Sequence, residues 1–153
     1  MFFDKQEQSG FSLLELLIVL AIFFIIATAV ITYAAQGYSR QQLLAAEVGI
    51  RTSLKEARDL AKEGFADMPH GVYFDKSASS YTIYAGSSYA TRDTAYDFQQ
   101  FWHPSIEISD PASLTFEINF TQDTGTSTAT MITLQSPNGA TKNLLINNSG
   151  VIE

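Results

Sequence analysis

The stretch "SGFSLLELLIVL", residues 9–20, places a carboxylate inside the most apolar part of the chain. Glu15 comes four residues after Phe11 of the Gly10-Phe11 junction, and it precedes a run, residues 16–39, without a charged side chain. About 20 consecutive apolar residues are enough for a helix to cross a bilayer. The run therefore predicts a membrane-spanning helix, and the carboxylate at its start needs a separate explanation.

Two other interpretations of this run are weaker. A helix that is apolar on every side could be a core helix, but the remaining chain is too short to surround it. A removable signal peptide would use Lys5 as its charged end and "ATA", residues 27–29, as its cleavage site. The segment before the run also carries Asp4 and Glu7, which cancel that charge, and Glu15 lies within the apolar region. These acidic residues argue against a secretory signal.

The composition limits the classes of protein to consider. The chain has 153 residues, of which 46% are hydrophobic, a net charge of −7 and no cysteine. This length fits one domain with an appended element. The missing cysteines exclude disulfides, thiolate metal sites and a cysteine nucleophile. Because general nucleic-acid affinity comes from clustered Lys and Arg, the acidic balance argues against it.

Residues 40–64 keep the helical period but become amphipathic. The polar side has two oppositely charged pairs four residues apart, Glu47 with Arg51 and Lys55 with Asp59. The apolar side repeats at multiples of the helical spacing, through Leu43, Ile50, Leu54, Ala57 and Ala61. Gly64 suits a C-terminal stop. The sequence therefore predicts one long helix with a transmembrane half, residues 11–39, and an amphipathic half, residues 40–64.

After Gly64 the period changes from helical to alternating. "TFEINF", residues 115–120, places apolar and polar side chains on opposite sides, as a half-buried strand does. Similar short runs are "GVYF", "YTIYA", "SIEIS", "TMITLQ" and "KNLLIN". Between them lie turn clusters, of which "SPNG", residues 136–139, fits a type I turn. We expect residues 65–153 to form a small antiparallel β domain packed on the amphipathic half of the helix, an α+β fold.

The N-terminal residues resemble the type IV pilin superfamily, which includes pilus subunits and the pseudopilins of type II secretion. The resemblance is carried by Gly10, Phe11, the apolar "SLL" of residues 12–14, Glu15 and the uncharged helix behind them. It implies that a prepilin peptidase removes a leader, residues 1–10, by cutting after Gly10, and methylates the new amino terminus at Phe11. It also implies that an inner-membrane platform assembles the subunits through their N-terminal helices into a filament.

In such a bundle Glu15 has a partner. Cleavage creates an ammonium group on Phe11, and a carboxylate in hydrocarbon seeks a positive charge. If the Phe11 amine of a neighbouring, staggered subunit supplies that charge, Glu15 fixes the register between subunits. The alternative is a first-turn glutamate that is favoured only by the helix dipole at the membrane edge.

The rest of the chain is similar in pattern to FimT-like minor pilins and to the H-type pseudopilin, whose β domain has two small sheets packed on the helix. This implies a structural subunit and no enzyme, anchored in the inner membrane with the C-terminal domain outside the cytoplasm. After assembly it would lie in a surface or periplasmic filament. The alternative function is a tip-located minor pilin that binds DNA, a secreted substrate or a surface. DNA is the weakest of these, since Lys142 stands alone near the C terminus.

No catalytic, metal or cofactor site is predicted from the sequence. The histidines His70 and His103 have no spacing specific for zinc or a catalytic triad, and we expect both in turns or at strand edges. "DKSASS", residues 75–80, begins like a calcium loop but lacks its acidic pattern and its glycine.

Residues 86–104, "GSSYATRDTAYDFQQFWHP", have no clear period and are expected to form a long loop or irregular excursion. The segment contains four clustered aromatic residues, Tyr96, Phe98, Phe101 and Trp102. They either pack in the core under the loop, which is the favoured interpretation, or form a contact patch for another subunit.

Overall fold

The computed structural model describes residues 12–153, except for the side chains of residue 29 and residues 31–36. Helix α1, Leu13–Lys62, comes first. The strands that follow are β1 (His70–Asp75), β2 (Ser80–Ala85), β3 (Asp93–Phe101), β4 (Glu107–Asp110), β5 (Thr115–Phe120), β6 (Thr130–Gln135) and β7 (Thr141–Ile146). Short 3₁₀ turns occupy Phe65–Asp67 and Tyr89–Thr91. The chain divides into two compact units, Met1–Gly37 and Tyr38–Glu153.

The strands form two antiparallel sheets in the second unit. The larger sheet has the order β3-β2-β1-β5, and the smaller one has the order β4-β6-β7. In the larger sheet, Val72 of β1 lies opposite Ile83 of β2 and Ile118 of β5, so that these apolar side chains share one face. The predicted α+β fold is confirmed, and the two small sheets are those that the resemblance implied.

The amphipathic half of α1 forms one side of the hydrophobic core. Each of the five apolar residues predicted to share a face is at most 2% exposed: Leu43, Ile50, Leu54, Ala57 and Ala61. They belong to one core cluster with Phe74 of the larger sheet and Leu144 of the smaller sheet. Full burial of a side chain as large as leucine contributes about 1.5–3 kcal/mol. This face therefore joins the two sheets into one unit.

The end of α1 is close to the predicted one. Gly64 has a φ of 64°, in the left-handed region that favours glycine, and its N–H donates to the Ala61 carbonyl at 3.2 Å. The Asp123 N–H, in the loop after β5, donates to the same carbonyl at 2.9 Å. The predicted turn at residues 136–139 is also present, because the Gly139 N–H donates to the Ser136 carbonyl at 2.9 Å.

The prediction of a long loop at residues 86–104 was wrong. This segment contains the turn Tyr89–Thr91 and β3, the longest of the described strands. β3 lies at the edge of the larger sheet with most of its side chains exposed, and its pairing with β2 shifts register between Ile83 and Ala85. A strand with neither face buried needs no alternation of apolar and polar residues. The sequence pattern therefore could not reveal it.

The first part of the same segment folds over the outer face of the larger sheet. The Tyr89 ring stacks on the Tyr73 ring, with centroids 3.8 Å apart and planes at 4°. The Arg92 guanidinium lies 3.7 Å from the centroid of the Tyr89 ring and pairs with Asp97 at 2.8 Å. Tyr84 is fully buried beneath them, and burial raises the pKa of the Tyr84 phenol well above its usual range.

Substitutions at two glycines with left-handed backbone conformations can test how closely the loops that contain Gly125 and Gly150 pack. A Cβ at Gly150 (φ 71°) would collide with the carbonyl oxygen of Gly125, whereas a Cβ at Gly139 (φ 81°) would lie in open space. Gly139→Ala should lose about 1–2 kcal/mol of unfolding free energy from the backbone conformation alone. Gly150→Ala should lose clearly more. Equilibrium denaturant unfolding of both variants in one detergent measures the difference, and equal losses would contradict the close approach of the two loops.

Candidate assembly site

Ser12 caps the N-terminal end of α1. Its carbonyl accepts a hydrogen bond from the Leu16 N–H at 3.2 Å, and its hydroxyl oxygen accepts one from the Glu15 N–H at 3.2 Å. Ser12 is therefore the N-cap of the helix, and Glu15 stands at the third helical position. This role was not among the sequence predictions, although the Ser-x-x-Glu spacing of a capping box could have revealed it.

Glu15 is exposed in the first turn of α1. Within residues 12–153 its carboxylate forms no ion pair, since the pairs found there join other residues. Gly10 and Phe11, the predicted processing site, and the predicted leader lie outside the described residues. The contact between Glu15 and a Phe11 amine therefore stays a prediction.

Around Glu15 the helix presents apolar side chains on every side. Each large apolar residue described between Leu13 and Ile26 is at least 45% exposed. Phe23 and Phe24 contact each other edge to face, with centroids 6.2 Å apart. A helix that is apolar all round needs a cover of lipid or of other helices. Residues 13–26 are the candidate assembly surface.

A membrane span is a separate question. Across residues 12–153, leaving out the undescribed side chains, we find no helix with the length and apolarity to cross a membrane. The predicted transmembrane half, residues 11–39, includes residues outside that description, and it stays a prediction.

On the amphipathic half, Glu47 connects α1 to the smaller sheet. Its carboxylate pairs with Arg51 at 3.2 Å, which confirms that predicted pair, and also with Lys142 of β7 at 3.2 Å. The other predicted pair, Lys55 with Asp59, is absent from the ion pairs of the described chain. Lys142, the lone basic residue near the C terminus, is held in this pair, so its charge is less available to a phosphate backbone.

The two histidines lie in different surroundings. His70 is buried at the start of β1, where its Nδ1 lies 3.1 Å from the Met68 carbonyl oxygen, and burial lowers the pKa of the His70 imidazole. His103 is exposed in the turn after β3, with its Nδ1 2.8 Å from the Ser105 hydroxyl. In the described part of the chain no three acidic or histidine side chains are grouped to hold a metal ion.

The acidic residue of "DKSASS" serves the turn between β1 and β2. The Asp75 carboxylate accepts hydrogen bonds from the Ser77 N–H at 2.9 Å and the Ala78 N–H at 3.2 Å, as well as from the Ser77 hydroxyl. These hydrogen bonds lower the pKa of the Asp75 carboxyl, and the bond from the Ser77 hydroxyl has the largest effect. Its oxygens are thus used within the hairpin turn.

Three of the four aromatic residues near β3 are on the surface. Tyr96, Phe98 and Phe101 are 41%, 55% and 68% exposed, so the favoured interpretation of core packing is wrong for them. Trp102 does pack in the core, and its indole N–H donates to the Ile106 carbonyl at 2.9 Å. Phe65, also exposed, meets Tyr96 edge to face at 5.6 Å. Phe98 lies opposite Ile83 and Phe101 opposite Ser80, so these two rings lie on different faces of the sheet and the exposed rings do not form one surface.

Comparisons with known proteins match both parts of the chain. The family described as "Prokaryotic N-terminal methylation motif" matches residues 5–31. The fold is similar to the crystal structure of the type IV minor pilin FimU of Pseudomonas aeruginosa (strain PAO1), with a TM-score of 0.57 and 17% sequence identity. That similarity covers 74% of this chain and 88% of the other. No curated protein matches significantly.

The N-cap can be tested through the first turn of α1. Ser12→Ala removes the side-chain acceptor of the Glu15 N–H, and loss of such a cap costs about 0.5–2 kcal/mol. We expect exchange of the Glu15 amide hydrogen to become about two- to thirtyfold faster, measured by NMR on the chain in detergent micelles. The matched control Ser12→Thr keeps the acceptor and should exchange like the wild type. Unchanged exchange in Ser12→Ala would contradict the cap.

Proposed function

We propose that this type IV pilin-like chain is a structural subunit of a prokaryotic filament, a type IV pilus or a type II secretion pseudopilus, in which it is a minor component. The methylation motif and the fold are those of structural subunits and not of enzymes. The observation that carries the proposal is the placement of Glu15 in the helix segment of residues 13–26, in which every other side chain is apolar and the large ones are exposed. Such a surface fits a helix that packs among other helices.

The proposal includes a membrane-anchored precursor. The motif at residues 5–31 and the uncharged run of residues 16–39 support anchorage in the cytoplasmic membrane, with the β domain outside the cytoplasm. Prepilin peptidase would cut after Gly10 and methylate Phe11. The platform and the other pilin or pseudopilin subunits would then draw the apolar helix from lipid into the filament core. The same apolar surface serves both surroundings.

The role proposed for Glu15 follows from the cost of an unpaired charge. A carboxylate removed from water is unfavourable by several kcal/mol unless a positive group compensates it. A methylated amine on Phe11 keeps its positive charge, so the amine of a neighbouring subunit could pair with Glu15. An apolar helix could slide along its neighbours, whereas this pair would be satisfied in one register.

A tip-located binding module is the second candidate. The exposed aromatic rings of Phe65 and Tyr96, which contact each other, favour it, because exposed aromatic residues often mark binding surfaces. Nucleic acid is a poor ligand for such a module. The chain carries a net charge of −7, and Lys142 is already paired with Glu47.

Processing gives the first test of this proposal. Mass spectrometry of the membrane form should find a mature chain that begins at a methylated Phe11. A bulky residue at the cleavage junction, Gly10→Val, should leave the precursor uncut, while the neighbouring change Ser9→Ala should be processed normally. A mature chain that begins at residue 30 would instead indicate an ordinary signal peptide.

The Glu15 side chain gives the second test. Glu15→Leu should still insert and still be cleaved, but its incorporation into sheared filaments should fall at least about tenfold, because loss of a buried ion pair exceeds 1.4 kcal/mol. Glu15→Gln keeps the size without the charge and should resemble Glu15→Leu. Glu56→Gln, an exposed glutamate on the same helix, is the matched control. Normal incorporation of both Glu15 variants would leave Glu15 as a residue favoured by the helix dipole.

A further inference from the structure

Strand β3 points backbone hydrogen-bonding groups away from its sheet. The Trp102 N–H donates to the carbonyl of Ser79, just before β2, at 3.0 Å, and Gln100 continues the pairing with β2. In an antiparallel pair, every second residue points its N–H and C=O groups toward the neighbouring strand. The N–H and C=O groups of Gln99 and Phe101 therefore point away from β2. In the part of the chain that the structure describes, no strand lies on that side.

This edge lacks the features that commonly protect edge strands. Natural edges are blunted by lysine, by proline, by short length or by a bulge. β3 has 9 residues and contains neither Lys nor Pro. Its register shift lies between the partners Ile83 and Ala85, so the stretch from Phe98 to Phe101 is regular. Such a stretch can continue the sheet by one more strand, and what it recognises is the backbone of an extended polypeptide.

Helix α1 runs beside this edge strand. A Cβ atom at Gly49 would lie 3.1 Å from the Tyr81 hydroxyl, which donates to the Gln100 Oε1 at 2.6 Å. Beyond the end of the helix, Phe65 meets Tyr96 edge to face with centroids 5.6 Å apart. Every second side chain of a strand added to β3 would point to the side of the sheet on which α1 lies. At the Gln100 end, a cleft of about 380 Å³ between helix and strand leaves room for one of them.

The helix surface between these two contacts is acidic. Glu56 and Glu63 lie about two and four turns after Gly49, and therefore on the same side of α1. With Asp59 they line a shallow groove, to which Lys55 adds one positive charge. Within residues 12–153 none of the three carboxylates forms an ion pair. These carboxylates are available to a positively charged partner.

The charges also distinguish between two possible occupants of the edge. A second copy of this chain would bring a net charge of −7 and a β3 with two aspartates and no basic residue. Pairing two such edges places like charges together, which is unfavourable. A basic segment of a different protein has the complementary charge. The edge therefore favours a different, basic partner over self-association.

We propose that the outer edge of β3 binds an extended, basic segment of another protein, which adds to the larger sheet as an antiparallel outer strand. The segment pairs its backbone with Gln99 and Phe101, and its alternate basic side chains face the carboxylates of Glu56 and Glu63. The edge belongs to the second compact unit, and the candidate assembly surface of residues 13–26 belongs to the first. Binding therefore goes beyond the proposed filament role and can fail without it.

The test uses the synthetic peptide Thr-Lys-Val-Lys-Val-Lys-Thr, whose lysines share one face of a strand. With a fluorescent label, it is titrated against the full chain in a zwitterionic detergent, and fluorescence anisotropy should show saturable binding. Methylation of the backbone nitrogens of both valines keeps the charge but removes donors that point to β3. The methylated peptide should bind at least about tenfold more weakly. The same peptide with glutamate in place of each lysine should not bind.

Amide hydrogen exchange, measured by NMR on the same samples, locates the pairing. The lysine peptide should slow exchange of the Gln99 and Phe101 N–H groups at least about tenfold, because both gain an acceptor. The Gln100 N–H already points to β2 and should change less. A peptide held by charge alone would slow neither outward N–H.

Substitutions in the chain separate the backbone contribution from the charge contribution. Gln99→Pro removes an outward N–H without removing a bond to β2, and should weaken binding at least about tenfold. Gln99→Ala keeps that N–H and is the matched control. Glu56→Gln should weaken binding about two- to fivefold at low salt. Unfolding midpoints check that each variant is folded, and the methylated peptide tests the pairing even if Gln99→Pro does not fold.

Four results would overturn the proposal. The first is no saturable binding of the lysine peptide to the folded wild-type chain up to about 1 mM. The second is equal binding of the methylated peptide, and the third is equal binding of the glutamate peptide. The fourth is a dimer of the chain that Gln99→Pro dissociates, since this would assign the edge to a second copy. Gln99→Pro and Glu56→Gln should both enter filaments normally, so the filament role is tested separately.

Discussion

Burial of one face of α1 between two small sheets is the constraint on which the β domain depends. The face runs from Leu43 to Ala61, about 27 Å at 1.5 Å per residue. A sheet of three or four strands needs a packing partner for its apolar face. Here the larger sheet contributes Phe74 and the smaller one Leu144 to the same cluster as this helix face. Neither sheet would keep its position if the helix face were lost, so the helix acts as the shared layer of the core.

The edge strands of the two sheets differ in what lies beside them. Beside β7, the C-terminal residues close the smaller sheet, since the N–H groups of Leu145 and Glu153 each donate to the other's carbonyl, at 3.1 and 2.9 Å. Arg51 donates to the Ile152 carbonyl at 3.5 Å, which ties this closing segment to α1. β3, the outer strand of the larger sheet, instead presents exposed aromatic side chains. An edge strand that is neither covered nor shortened keeps backbone groups with which another strand can pair.

A helix or strand could be predicted from the sequence where one of its faces is buried against the rest of the same chain. Burial imposes a period, so the helix face of Leu43 to Ala61 and the alternating strand Thr115–Phe120 were found by their patterns. β3 buries neither face, so selection for packing leaves no period in it. The same limit explains why Trp102 and Phe101 could not be told apart, although one is in the core and the other on the surface. The Ser12 cap is a local pattern and could have been predicted.

The same limit applies to the candidate assembly surface, because in the proposed filament its contacts would be with other molecules. Residues 13–26 have the composition of a core and the exposure of a surface, and no contact among the described residues explains this combination. An apolar helix alone would be stable in lipid and in any helix bundle, at any register. In the filament that we propose, one carboxylate in the first turn would remove that freedom, since each position of the helix would leave it paired or unpaired. The cost of burying an unpaired charge would then let Glu15 discriminate between arrangements that apolar packing treats alike.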